Sequence, residues 1–181
     1  MSAVHPYTPL ELEGRDIYIR EGCMSCHSQM IRPFKDELLR YGPPSQSGEF
    51  VYDRPFLFGS KRTGPDLQRQ GGKYPSFWHY RHMLDPRSTS PGSIMPTYPW
   101  LYQNFINTGL IRQKLVILSR LGVPYTVDQV ERSVDTLKAQ AKQIADELIV
   151  QGVKDEGGLE KTEIIALIAY LQRLGKDGVE Q

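Results

Sequence analysis

The chain has 181 residues, of which 39% are apolar and 24% charged, a composition typical of a globular protein long enough to bury a core. Its formal net charge is only +1, which argues against a nucleic-acid-binding protein. No apolar run reaches the about 18 residues that a membrane-spanning helix requires, and the N-terminal sequence lacks the charged and apolar regions of a signal peptide. The sequence therefore predicts a single domain over residues 1–181 with no membrane span of its own.

The first predicted helix begins at a capping box. Thr8 and Glu11 are spaced so that each side chain can accept a hydrogen bond from the backbone of the other, and Pro9 occupies the first helical position. Apolar residues then recur at helical spacing until an end near Gly22. Because Gly14 would cost stability in an exposed helix, we interpret it as the point where another helix crosses closely.

Both cysteines of the chain lie in the sequence EGCMSCHSQM, as Cys23-x-x-Cys26-His27. A structural zinc site would need a second pair of ligands, and the remaining histidines are poorly spaced for one. A thioredoxin-like dithiol would need a βαβ pattern, which the sequence lacks. On a helical turn the two thiols share a face, and the histidine can place its imidazole beneath a metal. This spacing is the attachment signature of c-type haem and predicts one covalent haem c.

The middle of the chain is predicted to be mostly loop. Residues 35–62 form an irregular excursion rich in Gly, Pro, Ser and aromatic residues, and TGPDL at 63–67 predicts a turn. Residues 75–85 predict a short helix that stops before Pro86. Four prolines make residues 86–100 extended or turning.

Two further helices are predicted after residue 100. A capping box at Thr126 and Gln129 begins the first, which runs to about residue 150 with an apolar stripe of about three heptads. The stripe consists of Val127, Val130, Val134, Leu137, Ala141, Ile144 and Leu148. It is either a seam for another protein or a face that packs on this domain. The last helix spans roughly 160–174, ends at Gly175 and has an apolar face formed by Ile164, Leu167, Ile168, Leu171 and Leu174.

An iron bound by His27 needs a second axial ligand if the protein transfers electrons, whereas an open position indicates ligand binding or catalysis. Met95 lies in a proline-flanked extended segment that can be held rigidly against a porphyrin, and its thioether would favour the reduced iron. We therefore predict Met95 as the sixth ligand, with His79 and His82 as the alternatives. Met83 falls in a predicted helix and is expected to fill the core.

The surroundings of the iron are predicted from two loops. The backbone carbonyl of Pro65, in a rigid turn, is the expected acceptor for the second ring N–H of His27, which would fix the orientation of the imidazole. Haem propionates need hydrogen-bond donors, and basic and aromatic residues of the loops supply candidates. These candidates are Arg62, Arg69, Lys73, Tyr98 and Trp100.

Four motifs together resemble a class I cytochrome c: a helix running into C-x-x-C-H, a G-P-x-L turn, a P-G-x-x-M-P segment and a closing A-Y-L-x-x-L helix. The stretches LEGRDIYIREGCMSCHSQMIRPF, GSKRTGPDL and SIMPTYPWL are similar to the monohaem cytochrome c subunit (subunit II) of cbb3-type haem–copper oxidases. This resemblance covers roughly residues 7–175. It implies that Cys23 and Cys26 form the thioethers and that His27 and Met95 are the axial ligands.

The resemblance also implies the architecture. We expect an all-α, class I cytochrome c-like fold around one covalent haem, with a long extra helix inserted before the C-terminal helix. The haem core would comprise about residues 8–100 and 159–175, and the helical insertion about residues 101–158. In that fold the first and last helices cross, which would set Gly14 against the face around Tyr170.

The function implied by the resemblance is the transfer of single electrons from a soluble donor cytochrome towards an oxygen-reducing subunit. The partners would be the catalytic haem–copper subunit and the dihaem cytochrome c subunit of a cbb3-type oxidase, on the periplasmic side of the bacterial inner membrane. Alone, the chain would not be catalytic, although the whole complex reduces oxygen and translocates protons.

The family carries an N-terminal membrane helix that this sequence does not show, so a free periplasmic cytochrome c shuttle is the alternative function. A haem sensor or enzyme with an exchangeable sixth ligand is a further alternative. Neither function involves nucleic acid.

Overall fold

The computed structural model describes residues 4–155 and 157–177, and in those residues it is 54% helical with no strand, which confirms the predicted all-α fold. The helices are α1 (Pro9–Arg20), α2 (Lys35–Tyr41), α3 (Ser76–Leu84), α4 (Pro86–Thr89), α5 (Ile111–Arg120), α6 (Val127–Glu131), α7 (Ser133–Val150) and α8 (Glu163–Arg173). Both ends of the predicted domain, residues 1–3 and 178–181, lie outside the described residues. Among the helices that are described, none is long and apolar enough to cross a bilayer.

The start of α1 is the predicted capping box. Thr8 Oγ1 accepts a hydrogen bond from the Glu11 N–H at 3.3 Å, and Glu11 Oε2 accepts one from the Thr8 N–H at 2.8 Å. The Thr8 hydroxyl also donates to Gln140 Oε1 at 2.7 Å, which ties the start of α1 to α7. After α1 ends, Gly22 adopts φ +70°, a left-handed conformation that glycine reaches without steric cost. Local sequence therefore determines both ends of this helix.

Helices α1 and α8 cross at Gly14, as predicted. A Cβ atom at Gly14 would lie 1.9 Å from the Ala166 carbonyl oxygen and 2.8 Å from Tyr170 Cβ. Only a residue without a side chain lets the two backbones approach so closely. Beside the crossing, the rings of Tyr18 and Tyr170 lie 5.3 Å apart, and both are buried in the core.

The predicted apolar face of α8 is buried, and the burial extends beyond it. Every residue from 163 to 171 is buried, including the positions opposite the predicted face. The physical reason is that α8 packs against α1, α3, α7 and the short turn Pro99–Tyr102, so other elements surround it. From Ile164 to Leu171 the sequence is apolar apart from the Tyr170 hydroxyl, as expected for such a central position.

The helix predicted for residues 126–150 is interrupted at Arg132, where the backbone has φ −91° and ψ 10°, so α6 and α7 form two helices. The capping box at Thr126 is present, but Val127, the first residue of the predicted stripe, is 79% exposed and does not belong to the buried face. The rest of the stripe packs on this domain, because α7 lies against α1, α3 and α8. Its fully buried members are Val130, Leu137, Ala141 and Leu148.

The loop predictions need two corrections. The excursion at 35–62 contains α2 and the 3-10 turn Ser47–Phe50, so it is only partly irregular. The short helix before Pro86 is observed as α3, but the proline then begins the single-turn helix α4 instead of an extended segment. The reason is local, since the Asp85 carboxylate accepts a hydrogen bond from the Arg87 N–H at 3.1 Å and caps a helix with proline at its first position.

Candidate haem site

The C-x-x-C-H sequence forms one compact turn. Cys23–Ser25 is a 3-10 helix, and the His27 N–H donates to the Cys23 carbonyl at 3.0 Å. Cys23 is half-buried and Cys26 is exposed. Burial raises the pKa of the Cys23 thiol to about 12. This environment disfavours the thiolate that a zinc site needs and suits an uncharged thioether.

The imidazole of His27 is oriented by the turn at 63–67. Its Nδ1 lies 2.8 Å from the backbone oxygen of Pro65. Because a carbonyl can only accept, the ring proton belongs on Nδ1, and Nε2 keeps its lone pair for a metal. Burial lowers the pKa of His27, so the ring stays neutral, which is the state of an imidazole ligand.

Gly64 packs directly against the imidazole. A Cβ atom at this position would lie 2.2 Å from His27 Cε1 and 2.7 Å from its Nδ1. The Gly64 N–H also donates to the Cys26 carbonyl at 2.9 Å, which ties the two turns together. From the sequence alone, Gly64 is recognisable only as part of the TGPDL turn, and its position before Pro65 is the one local signal of a special role. Any side chain here would displace the ring.

The buried Asp66 connects the residues after His27 to the turn at 63–67 through hydrogen bonds. Its Oδ2 accepts hydrogen bonds from the Ser28 hydroxyl at 2.6 Å and the Met30 N–H at 2.9 Å, while its Oδ1 accepts from the Gln68 N–H at 2.8 Å. Asp66 and Ser28 are buried. The residues after His27 are thereby held beside the turn that carries Pro65. Sequence reasoning missed this contact because one aspartate in a loop gives no signal of its partners.

The predicted propionate donors Arg62 and Arg69 both have carboxylate partners within the protein. Arg62 donates to Glu37 Oε2 at 2.7 Å and to the Ser28 hydroxyl at 2.7 Å. Arg69 donates to both oxygens of Glu49, at 2.8 Å to Oε1 and 2.5 Å to Oε2. Arg62 therefore ties α2 to the residue after His27, and Arg69 ties the segment after the 63–67 turn to the turn Ser47–Phe50.

Glu37 gives the site an acid-sensitive contact. Hydrogen bonds from Arg62 first, and then from Arg32, hold its pKa at about 2, below the ordinary 4.5. A carboxylate with a depressed folded-state pKa stabilises the fold above pH of about 4.5 and loses that contribution as the pH falls towards 2. We expect Glu37→Gln to lower the free energy of unfolding by about 2 kcal/mol at pH 7. Urea denaturation should show that the difference in free energy of unfolding between the wild-type protein and Glu37→Gln shrinks as the pH is lowered from 4.5 towards 2.

The exposed neighbour Asp36 provides the matched control, because Asp36→Asn removes the same charge without breaking the contact with Arg62. If Glu37→Gln lowered the free energy of unfolding by the same amount at pH 7 and near pH 2, the assignment of the pH dependence to Glu37 would be wrong.

The segment that carries Met95 is anchored to α3. The Tyr98 N–H donates to the Met83 carbonyl at 2.9 Å, and the Met95 N–H donates to Ser93 Oγ at 3.2 Å. Met95 is half-buried and packs against the apolar core, together with Cys23. These contacts hold the segment that carries Met95 in place without a bond from its sulfur to a metal.

Tyr98 and Trp100 lie near the C-terminal end of α1, beside the cysteines. Burial, with a further contribution from Cys23 and Cys26, raises the pKa of Tyr98 to about 12. The Trp100 indole donates to Glu21 Oε2 at 3.0 Å, and its ring lies 5.4 Å from that of Tyr98. The fold thus places Tyr98 within electrostatic reach of both cysteines of the C-x-x-C-H turn.

The alternative ligands lie on α3. His79 is 1% exposed, burial lowers its pKa to about 4, and its Nε2 has no hydrogen-bond partner among the residues described. His82 places Nδ1 2.5 Å from Thr89 Oγ1 and stacks on Trp78 with ring centroids 4.5 Å apart. Met83 belongs to the apolar core, as expected. Lys73, the remaining propionate candidate, is exposed, with Nζ 5.8 Å from the ring centre of Tyr74.

Helices without strands in the described residues, and two cysteines on one turn with a backbone-anchored histidine, are typical of a c-type cytochrome. The family model described as cytochrome c oxidase, mono-heme subunit/FixO matches residues 1–178, and the chain belongs to that family. Comparison with curated proteins gives no match. Membership makes haem c the cofactor and electron transfer the function, as the monohaem subunit of a membrane-associated cbb3-type cytochrome c oxidase. The resemblance found in the sequence is thereby confirmed.

Proposed function

We propose that His27 and Met95 ligate the iron of a haem c that is attached through Cys23 and Cys26. When bound, this group supplies one-electron chemistry by alternating between ferric and ferrous iron. The observation that carries the proposal is the 2.8 Å contact from His27 Nδ1 to the Pro65 carbonyl, which leaves Nε2 free as a donor to a metal. The half-buried Met95, on a segment anchored to α3, supplies a thioether from a different part of the chain.

The side chains around this pair have supporting roles. Gly64 gives the imidazole room and limits its rotation, because the ring rests against the glycine backbone. Asp66 holds the segment after His27 to the turn that carries Pro65. Tyr98 and Trp100 are proposed to face the porphyrin edge, whereas Arg62 and Arg69 are proposed to reach the propionates while keeping their ion pairs with glutamates.

The domain organisation that goes with this proposal is a haem core of about 8–100 and 159–175 carrying an insertion of about 101–158. It is supported by the crossing of α1 and α8, which joins the two parts of the core without any residue of the insertion. Helices α5 to α7 then pack on that core, with α5 and α7 against α1.

The partners are proposed at the level of individual subunits. The chain receives electrons from the dihaem cytochrome c subunit or a soluble cytochrome and passes them to the catalytic haem–copper subunit, on the periplasmic side of the membrane. Family membership supports the oxidase complex and does not favour the alternative of a free shuttle.

The proposal predicts a haem that is covalently attached and has both axial positions of its iron occupied. Denaturation in acidified organic solvent should leave the haem on the polypeptide, because two thioethers hold it, and absorbance of the extract measures any loss. The reduced native protein should not bind carbon monoxide at neutral pH, because both axial positions are filled. Haem in the extract would refute attachment through the cysteines, and tight carbon monoxide binding would favour a sensor or enzyme.

A further inference from the structure

A cleft of about 210 Å³ lies on the side of the molecule formed by α1, the excursion and α5. Its apolar wall is formed by Leu12, Ile117, Leu118 and Val123. Leu12 and Val123 are buried, so the floor of the cleft belongs to the packed interior of the protein. None of the residues proposed to contact the haem lines the cleft.

Two of the cations that line the cleft are neutralised by the protein itself. Lys114 Nζ lies 2.7 Å from both Glu13 Oε1 and Asp16 Oδ2. The buried Arg15 has its Nε 3.4 Å from Asp53 Oδ1. These pairs leave little net charge for a ligand to recognise.

Arg54 is different, because its guanidinium has no carboxylate partner among the described residues. Its Nη1 donates to the backbone oxygens of Val51 at 3.2 Å and Asp53 at 2.9 Å, and the side chain is otherwise exposed at the edge of the cleft. Two backbone contacts through one nitrogen position the guanidinium and leave its second terminal nitrogen available. Arg54 is thus a fixed cation with unused donors beside an apolar cavity.

The surface around the opening is also apolar. Ile117, which lines the cleft, is 48% exposed, and Leu121, one helical turn further on, is 57% exposed. Arg120 lies exposed between them in sequence and forms no ion pair among the residues described. Exposed aliphatic side chains interspersed with unpaired arginines are the pattern of a surface that meets an anionic amphiphile.

We propose that this cleft binds the acyl chain of an anionic amphiphile and that Arg54 holds its carboxylate or phosphate head group. The apolar wall accounts for the chain and the unpaired guanidinium for the head. A free fatty acid and an anionic phospholipid share this chemistry. The site is separate from electron transfer and does not depend on the identity of the axial ligands.

The test uses the full, haem-loaded protein and a dansyl-labelled fatty acid whose fluorescence rises on binding. Decanoate should displace the probe saturably, and decyltrimethylammonium should not. Ile117→Asp, at a half-exposed position that tolerates a charge, should weaken decanoate binding roughly tenfold by repelling the head group and wetting the wall. Arg54→Gln should abolish the preference for decanoate over decanol. The haem spectrum should be unchanged in both variants.

Val150→Asp is the matched control, because Val150 is 87% exposed on α7 and does not line the cleft. Equal effects of Val150→Asp and Ile117→Asp, or the absence of saturable displacement, would overturn the proposal. Vesicles of phosphatidylglycerol, compared with phosphatidylcholine by co-sedimentation, distinguish the two sources. If the protein binds phosphatidylglycerol vesicles and Ile117→Asp weakens this binding, the ligand is a phospholipid. If decanoate displaces the probe but the protein does not bind the vesicles, the ligand is a free fatty acid.

Discussion

Replacing Met95 with alanine is expected to lower the midpoint potential of the haem by roughly 0.1 V or more, because the thioether that favours ferrous iron is lost. The weak absorption band at the red edge of the ferric spectrum, which methionine ligation produces, should disappear. The same change should open the sixth position, so that the reduced protein binds carbon monoxide. Redox titration and difference spectroscopy measure these effects. The fold should survive, since Met95 is only half-buried.

Met83→Ala is the control for sulfur chemistry. Met83 is 8% exposed and belongs to the core, so its loss should cost about 2–5 kcal/mol of stability while the absorption band and the potential remain. His82→Gln tests one of the two imidazole alternatives, and the substitution should be tolerated because His82 is only half-buried. If Met83→Ala or His82→Gln removed the axial ligand and Met95→Ala did not, the assignment of Met95 would be wrong.

Replacing Gly14 with alanine is expected to destabilise the protein by roughly 3 kcal/mol or more, at the upper end of the overpacking range. The added methyl group would lie 1.9 Å from the Ala166 carbonyl oxygen, a backbone atom that cannot move without separating α1 from α8. Since α1 leads directly into the C-x-x-C-H turn, we also expect a lower yield of haem-loaded protein. Urea denaturation of the loaded fraction gives the free energy, and haem absorbance per milligram gives the yield.

Gly109→Ala is the matched control. Gly109 lies in the turn Thr108–Leu110 without a positive φ, and the nearest atom to an added Cβ is Asn107 Oδ1 at 3.4 Å. That substitution should change the free energy of unfolding by less than about 0.5 kcal/mol. Similar melting curves for Gly14→Ala and the wild-type protein would show that the crossing has more room than the structure indicates.

The sequence by itself determined the features whose causes lie within a few residues. The capping boxes at Thr8 and Thr126 and the stop of α3 before Pro86 are local hydrogen-bonding and steric effects, so a short window contains all the information. The Cys23-x-x-Cys26-His27 turn is equally local. Gly14 was interpretable because a glycine inside an amphipathic helix has few structural explanations other than a close crossing.

The tertiary structure decided the features whose causes lie far away in the chain. Nothing near Glu37 or Asp66 specifies that their partners are Arg62 and Ser28, and α8 could be recognised as buried on every side only once its neighbours were placed. Helix α5 was not predicted individually, although Ile111, Leu115 and Leu118 recur at helical spacing and pack in or against the core. Long-range packing selects among conformations that local propensities leave nearly equal in free energy, and that selection is absent from any short stretch of sequence.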